Sequence, residues 1–219
     1  MAFFYLQGMK VIATNIGEST TVNWRGRKIQ TGIFKYPVEE PIFLKKEDVA
    51  KDTVIDRKHH GGEFKACYLF SSDYYDDWKT KYPHLDWDWG MFGENLTVEG
   101  LDENKLFIGD VYQIGTATVQ ITEPRQPCHK LGIRFGNQNV IKEFIDYGHS
   151  GTYVKILKEG DVKAGDSLSI KKSSNNGLTV QQYNVLVNSR NKDIELVKLA
   201  VENDGIRPKK REILKKLLQ

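Results

Sequence analysis

The stretch from Glu123 to Leu131, EPRQPCHKL, carries one of the chain's two cysteines, Cys128, crowded by Arg125, His129 and Lys130. A thiol ligates a metal or attacks an electrophile only once deprotonated, and cationic neighbours favour that form. Pro124 and Pro127 each hold φ near about −65° and remove an N–H. The segment therefore reads as a stiff loop, ill suited to a helix or a central strand. Chemistry at Cys128 is one reading of it. A buried cysteine that packs as a small apolar residue is the other, and this segment alone does not separate them.

Three further segments concentrate ligand-binding groups. In GIFKYP, Gly32 to Pro37, Lys35 follows two apolar residues and precedes a proline, a pattern that sets a cation at a strand end facing a pocket or leaves a solvated surface lysine. In DRKHHGGEFK, Asp56 to Lys65, two glycines after His59 and His60 let backbone approach a ligand closely. Arg57, Lys58 and Lys65 offer charge there for a phosphate or carboxylate. Consecutive histidines do not project together from a helix, and two dispersed cysteines do not make the spacing of a structural zinc site. In MFGENL, Met91 to Leu96, a Gly-Glu-Asn turn either sets the Asn95 amide against a polar ligand or caps a strand entrance.

Two other features have a structural explanation. Tyr74, Tyr75, Trp78, Trp87 and Trp89 could stack a base, but the acids between them would repel phosphate, so core packing and a loop lid are expected. Lys209, Lys210, Arg211, Lys215 and Lys216 read as the solvated face of a helix with an apolar underside.

These groups must be positioned by a chain of 219 residues, enough for one large domain or for a medium domain with a small appendage. Hydrophobic content of 39% and charge content of 28% lie in the range of folded proteins, and the apolar runs are too short to span a bilayer. The opening Met1 to Gly8 lacks the basic start and length of a signal peptide. Cys67 lies in an apolar run and Cys128 in a cationic one, unlike a disulfide framework, so a reducing cytoplasm is expected. A net charge of +3 does not by itself imply nucleic acid, though it would not repel a small anion.

From Lys10 to about Lys172 the chain is rich in short β-like runs, expected over 10–14, 28–35, 41–44, 66–70, 95–98, 111–122, 152–157 and 167–171. Their irregular spacing points to a barrel or sandwich rather than alternating βα units. The run at 111–122 is a hairpin candidate that leads directly into the Cys128 loop. Gly109-Asp110 and Gly165-Asp166 each precede a strand and read as turns. Helices are expected over 72–81, with a serine cap, and over 140–147, ended by Gly148. After a linker at Ser173 to Gly177, helical spacing predicts three short helices, capped by Thr179 and Asp193 and started by Pro208. This makes an α+β chain, mainly β, with a barrel-like domain over 9–172 and a three-helix domain over 173–219. A unit as small as the latter is expected to dock on the barrel or on another subunit, as in a homodimer.

Taken in order, FKYPV at Phe34–Val38, HGG at His60–Gly62 with Lys65, FGENL at Phe92–Leu96, IGD at Ile108–Asp110 and PRQPCHKL at Pro124–Leu131 resemble the MOSC domain. That family is named for the C-terminal domain of molybdenum cofactor sulfurases. The spacing, with a small helical tail, is most similar to its compact bacterial YiiM-like subgroup. VAKD at Val49–Asp52 departs from the pattern, since family members often carry a Gly-Asp turn there. The resemblance implies a β-barrel domain holding a molybdopterin-bound molybdenum ion, with Cys128 as catalytic residue and protein thiolate on the metal. Soft sulfur ligands suit that metal. Lys35, Arg57, His60, Lys65, Arg125 and Lys130 are the candidates to neutralise or bond the pterin and its phosphate, with Asn95 and Gln126 supplying neutral hydrogen bonds. The implied activity is an oxidoreductase that reduces an N-hydroxylated small molecule. Because no flavin or nicotinamide fingerprint is evident, electrons would come from an external reductase. Two alternatives are a persulfide carrier acting through Cys128 and a noncatalytic module that binds or delivers the cofactor. No membrane or nucleic-acid partner is expected.

Overall fold

The structure, a computed structural model, describes residues 8–57 and 61–219. His60 therefore lies outside the described residues.

The scaffold is a twisted eight-stranded sheet in the order β12-β8-β9-β10-β6-β7-β1-β4. Its members are β1 (Lys10–Ile16), β4 (Tyr36–Val38), β6 (Cys67–Ser71), β7 (Leu96–Glu99), β8 (Val111–Ile114), β9 (Ala117–Pro124), β10 (Thr152–Lys158) and β12 (Leu168–Lys172). All pairs are antiparallel except β6 with β7. The expected barrel is not closed by a continuous ladder. Instead Lys10 bridges Ser167, and three backbone bonds (Val11 N–H to Asp166 O, Gly165 N–H to Val11 O, Leu168 N–H to Met9 O) lay β1 against the entrance to β12. Small pairs stand outside this sheet: β2 (Thr20–Trp24) with β3 (Arg27–Thr31), and β5 (Ile42–Leu44) with β11 (Gly160–Val162).

Strand β6 explains how the sheet serves two cores. Side chains alternate between faces of a strand, and every residue of β6 is buried. Cys67 and Leu69 join the aliphatic interior with Val11, Leu96, Val119 and Val154. Tyr68 and Phe70 point the other way, into a second core with Tyr75, Trp78, Phe92, Phe135 and Phe144. The aromatic run expected to pack does so: Trp78 sits 5.5 Å from Phe92 and 6.0 Å from Phe135, edge to face.

That aromatic core is covered by three helices: α1 (Tyr75–Lys81), α2 (His129–Arg134) and α3 (Val140–Tyr147). A 3₁₀ turn over Ser72–Tyr74 precedes α1, with Ser71 accepting from the Asp73 N–H. Helix α2 corrects the expectation of a plain loop around Cys128. Pro127 precedes it and Cys128 is its N-cap, a place where proline is no obstacle because helix N-termini leave their first N–H groups unpaired. Pro124 likewise ends β9, opposite Thr152.

Beyond β12 come α4 (Val180–Asn188), α5 (Ile194–Glu202) and α6 (Pro208–Lys215). Thr179 and Gln182 form a reciprocal capping box, Asp193 accepts from the N–H groups of Glu195 and Leu196, and Pro208 occupies the first turn of α6. Leu178, Val180, Tyr183, Leu186, Val197, Ala200, Ile206 and Leu214 are buried in the same aliphatic core as the sheet. No helix among the described residues is long and apolar enough to cross a membrane.

Candidate functional site

A cleft of about 620 Å³, its open mouth included, lies where the loops after β3 and β9 meet the starts of β6 and β7. Lys35, Lys65, Asn95, Arg125, Cys128 and Lys130, drawn from four separate segments, all line it. Thr31, Asp56, Tyr68 and Tyr153 complete much of the wall.

One side is organised by Asp52, whose side chain is 2% exposed. Its carboxylate accepts from Gly17 N–H at 2.8 Å, from Asn95 Nδ2 at 2.9 Å and from the Lys35 ammonium. Lys35 is thus a buried, ion-paired lysine rather than a solvated one. Asn95 is held as firmly: Oδ1 accepts from Tyr68 N–H, and Nδ2 also donates to Asn15 O. Gly32 lies against this wall with the Thr53 carbonyl oxygen 1.9 Å from where a Cβ would stand, so only glycine fits.

The opposite side is the end of β9. Arg125 is buried, donates to Phe92 O, and lies 5.1 Å from the Tyr68 ring centroid and 5.7 Å from that of Phe144. The turn presenting Phe92 O is fixed by Glu94, fully buried, which accepts from Gly90 N–H, Phe92 N–H, Thr97 Oγ1 and the Tyr75 hydroxyl. Glu94 is therefore the keystone of the Gly-Glu-Asn turn, and burial raises its carboxyl above the usual range. Cys128 follows on the half-buried loop, and Leu131 N–H bonds back to its carbonyl. Arg134, at the far end of α2, donates to the Tyr36 hydroxyl at 2.9 Å and so ties the Lys35 segment to the Cys128 helix.

The floor is aromatic. Tyr68 and Tyr153 face each other across β6 and β10, with ring centroids 5.1 Å apart. The Lys65 ammonium stands 5.2 Å above the Tyr153 ring. Burial lowers the Lys65 ammonium to about 8; Glu123 opposes that shift, while Arg207, Lys210 and Arg125 reinforce it. Cys67, by contrast, is sealed in the aliphatic core and pushed up to about 12 by burial, and no disulfide joins it to Cys128.

Two sequence candidates go elsewhere. Arg57 does not line the cleft; its guanidinium pairs with Asp48 at 3.0 Å and Glu47 at 3.6 Å on the surface. Gln126 is half-buried outside the lining, and its Nε2 has no hydrogen-bond partner among the described residues. Asp52, Tyr68 and Tyr153 were not singled out from sequence, and the Lys51-Asp52 departure was the one signal pointing at the first.

The donor set can be tested against the group that the resemblance implies. Among the described residues no three His, Cys, Asp or Glu side chains come together to hold a metal ion. The described residues therefore offer no ready-made set of side-chain ligands to share a metal with Cys128, and a bound organic group is one source of the remaining ligands. The Lys65, Arg125 and Lys130 cations suit an anionic one, and the Tyr68–Tyr153 floor suits a flat one. The residues fit.

A mainly antiparallel, barrel-like sheet with a single thiol among cations at its rim is the architecture of a known class, and the chain belongs to the MOSC domain family, whose domain matches residues 56–169. Among curated relatives, the YflK protein of Bacillus subtilis is 36% identical over 174 residues, covering 80% of this chain and 78% of that one. The YiiM protein of Escherichia coli is 28% identical over 154 residues, covering 69% and 68%. A protein of Gibberella moniliformis named "Reductase" is 29% identical over 175 residues, and the match spans only 31% of it. The crystal structure of YiiM from Geobacillus stearothermophilus superposes with a TM-score of 0.79 at 28% identity, covering 96% of this chain and 100% of that one.

Proposed function

We propose that this chain binds a pterin-based molybdenum cofactor in the cleft, with Cys128 as the protein's ligand to the metal, and reduces N-hydroxylated small molecules with electrons from an external reductase. The observation that carries the reading is the convergence of Cys128 with Lys65, Arg125, Lys130 and Asn95 on one cleft of a MOSC domain. The name of the fungal relative supports a reductive chemistry.

When bound, the cofactor would supply the two-electron redox chemistry. The chain's own residues do the rest. Arg125 and Lys130 neutralise the anionic group. Asp52 keeps Lys35 and Asn95 in place along one wall. Converting R–NHOH to R–NH₂ and water consumes two protons, and Lys65 Nζ, protonated at neutral pH yet able to release its proton near pH 8, is placed to relay one. Asp56 lines the same cleft.

The test is metal analysis of protein purified from a cofactor-producing host, followed by turnover of a hydroxylamino-purine or an amidoxime with a reducing partner. Stoichiometric molybdenum that Cys128→Ala abolishes is the expected result. Full turnover by Cys128→Ala would refute the ligation, and a transferable extra sulfur on Cys128 without molybdenum would point instead to a persulfide carrier.

A further inference from the structure

The C-terminal helices are tied to the strand that leads into the cleft by an ion pair. Arg207, immediately before α6, clamps Glu123 with two parallel bonds, Nε to Oε1 at 2.5 Å and Nη2 to Oε2 at 2.8 Å. Glu123 is 5% exposed and belongs to β9, two residues before Arg125. Arg207 is not a loosely held surface arginine. Next to it Ile206 is fully buried, and the Asn203 turn beneath it is pinned to the sheet by Nδ2 donating to Ile108 O at 3.0 Å. On its other side Arg207 borders a shallow depression shared with Gly62, Glu63 and Phe64, the turn that carries Lys65 into the cleft.

We propose that Arg207 is a positioning residue for the cleft: by clamping Glu123 it sets the charge borne by Lys65, so that the C-terminal helices govern how the cleft holds anions and protons. A bidentate guanidinium–carboxylate pair fixes both charge and orientation. With Glu123 neutralised by Arg207, its pull on the Lys65 ammonium is weakened. Arg207 itself, Lys210 from α6 and Arg125 just after β9 add repulsion, Tyr153 from β10 lies under the ammonium, and Asp56 lines the same cleft. The burial that lowers Lys65 is therefore offset only in part by Glu123. The inference stands whether or not the group bound in the cleft is a molybdenum cofactor.

The experiment is the pH dependence of acetic-anhydride labelling at Lys65 in the full-length chain, read by peptide mass spectrometry with other lysines as internal references. In Arg207→Gln, Glu123 is released and one repelling cation is gone, so the labelling midpoint should rise by roughly one pH unit. In Glu123→Gln, the attraction disappears, so the midpoint should fall. Arg207→Lys retains a cation without the fork and should lie between wild type and Arg207→Gln. Opposite movements separate this role from a merely structural one, because loosening the fold hydrates Lys65 and raises the midpoint in both variants. Movement in the same direction, or unchanged midpoints in folded variants, would overturn the proposal. If Arg207→Gln does not fold, a midpoint in Glu123→Gln at or above that of wild type would overturn it alone.

Discussion

Charge in the cleft divides between residues that build it and residues that face a ligand. Lys35 and Asn95 look from sequence like ligand contacts, yet both are committed to Asp52, so they shape a wall while Lys65, Arg125 and Lys130 supply the positive charge. Lys65 costs the fold something for that role. Its folded value of about 8 lies below the 10.5 of an exposed lysine, so a protonated Lys65 is penalised in the native state and relieved on unfolding. The penalty is complete below pH 8, and stability attributable to this group rises as pH climbs from about 8 towards 10.5, where the unfolded chain binds more protons than the folded one. Lys65→Met should therefore stabilise the protein at pH 7, by about 1–2 kcal/mol in urea unfolding. The advantage should shrink steadily above pH 8, while binding of inorganic phosphate in the cleft weakens. A variant less stable than wild type at pH 7 would show that the lysine is held by compensating interactions and not merely tolerated.

At the scale of elements, what was legible had a local cause. Gly148, Thr179, Asp193 and Pro208 mark helix ends by side-chain or backbone chemistry within one turn, and the structure places helix ends at each. The β2–β3 hairpin was missed because its turn is Arg25-Gly26, both at positive φ, where the usual sign is Asn or Asp before glycine. Helix α2 was missed because Pro127 was read as a breaker when it marks a boundary. Arg57 was legible as a cation but not its partners, since the pairing with Asp48 and Glu47 depends on how the chain folds back on itself. The Val49–Asp52 departure has a clear structural meaning: Lys51 sits at φ 64°, in the left-handed region that glycine enters at no steric cost. Its side chain is exposed, so little else is lost by removing it. Lys51→Gly should gain about 0.5–1 kcal/mol, the left-handed strain relieved less the extra freedom of glycine in the unfolded chain. Chemical denaturation would detect this, and a destabilised Lys51→Gly would mean that Asp52 is oriented by more than the turn.

At the scale of the whole molecule, the composition break at Ser173 to Gly177 separates two textures of sequence but not two cores. Tyr183, Val197, Ala200 and Ile206 pack with Val11, Val119 and Val154, Leu106 O accepts from Val180 N–H, and Asn203 reaches back to Ile108. A three-helix unit of this size gains too little from its own burial to stand apart, and its apolar faces are spent on the sheet. The Arg207–Glu123 clamp then joins tail to cleft across an interface that is already fixed. The chain should consequently unfold as one cooperative unit. Its four tryptophans, at 24, 78, 87 and 89, all precede the tail, so their fluorescence follows the sheet and the aromatic core, while helical ellipticity near 222 nm draws heavily on α4 to α6. The two signals should trace a single transition in urea. Ile206→Ala, deep in the shared core, should shift both midpoints together, at a cost of about 2–4 kcal/mol. If ellipticity were lost at lower urea than fluorescence, the helices would be melting off an intact sheet, and any influence of the tail on the cleft would have to be carried by a separable domain.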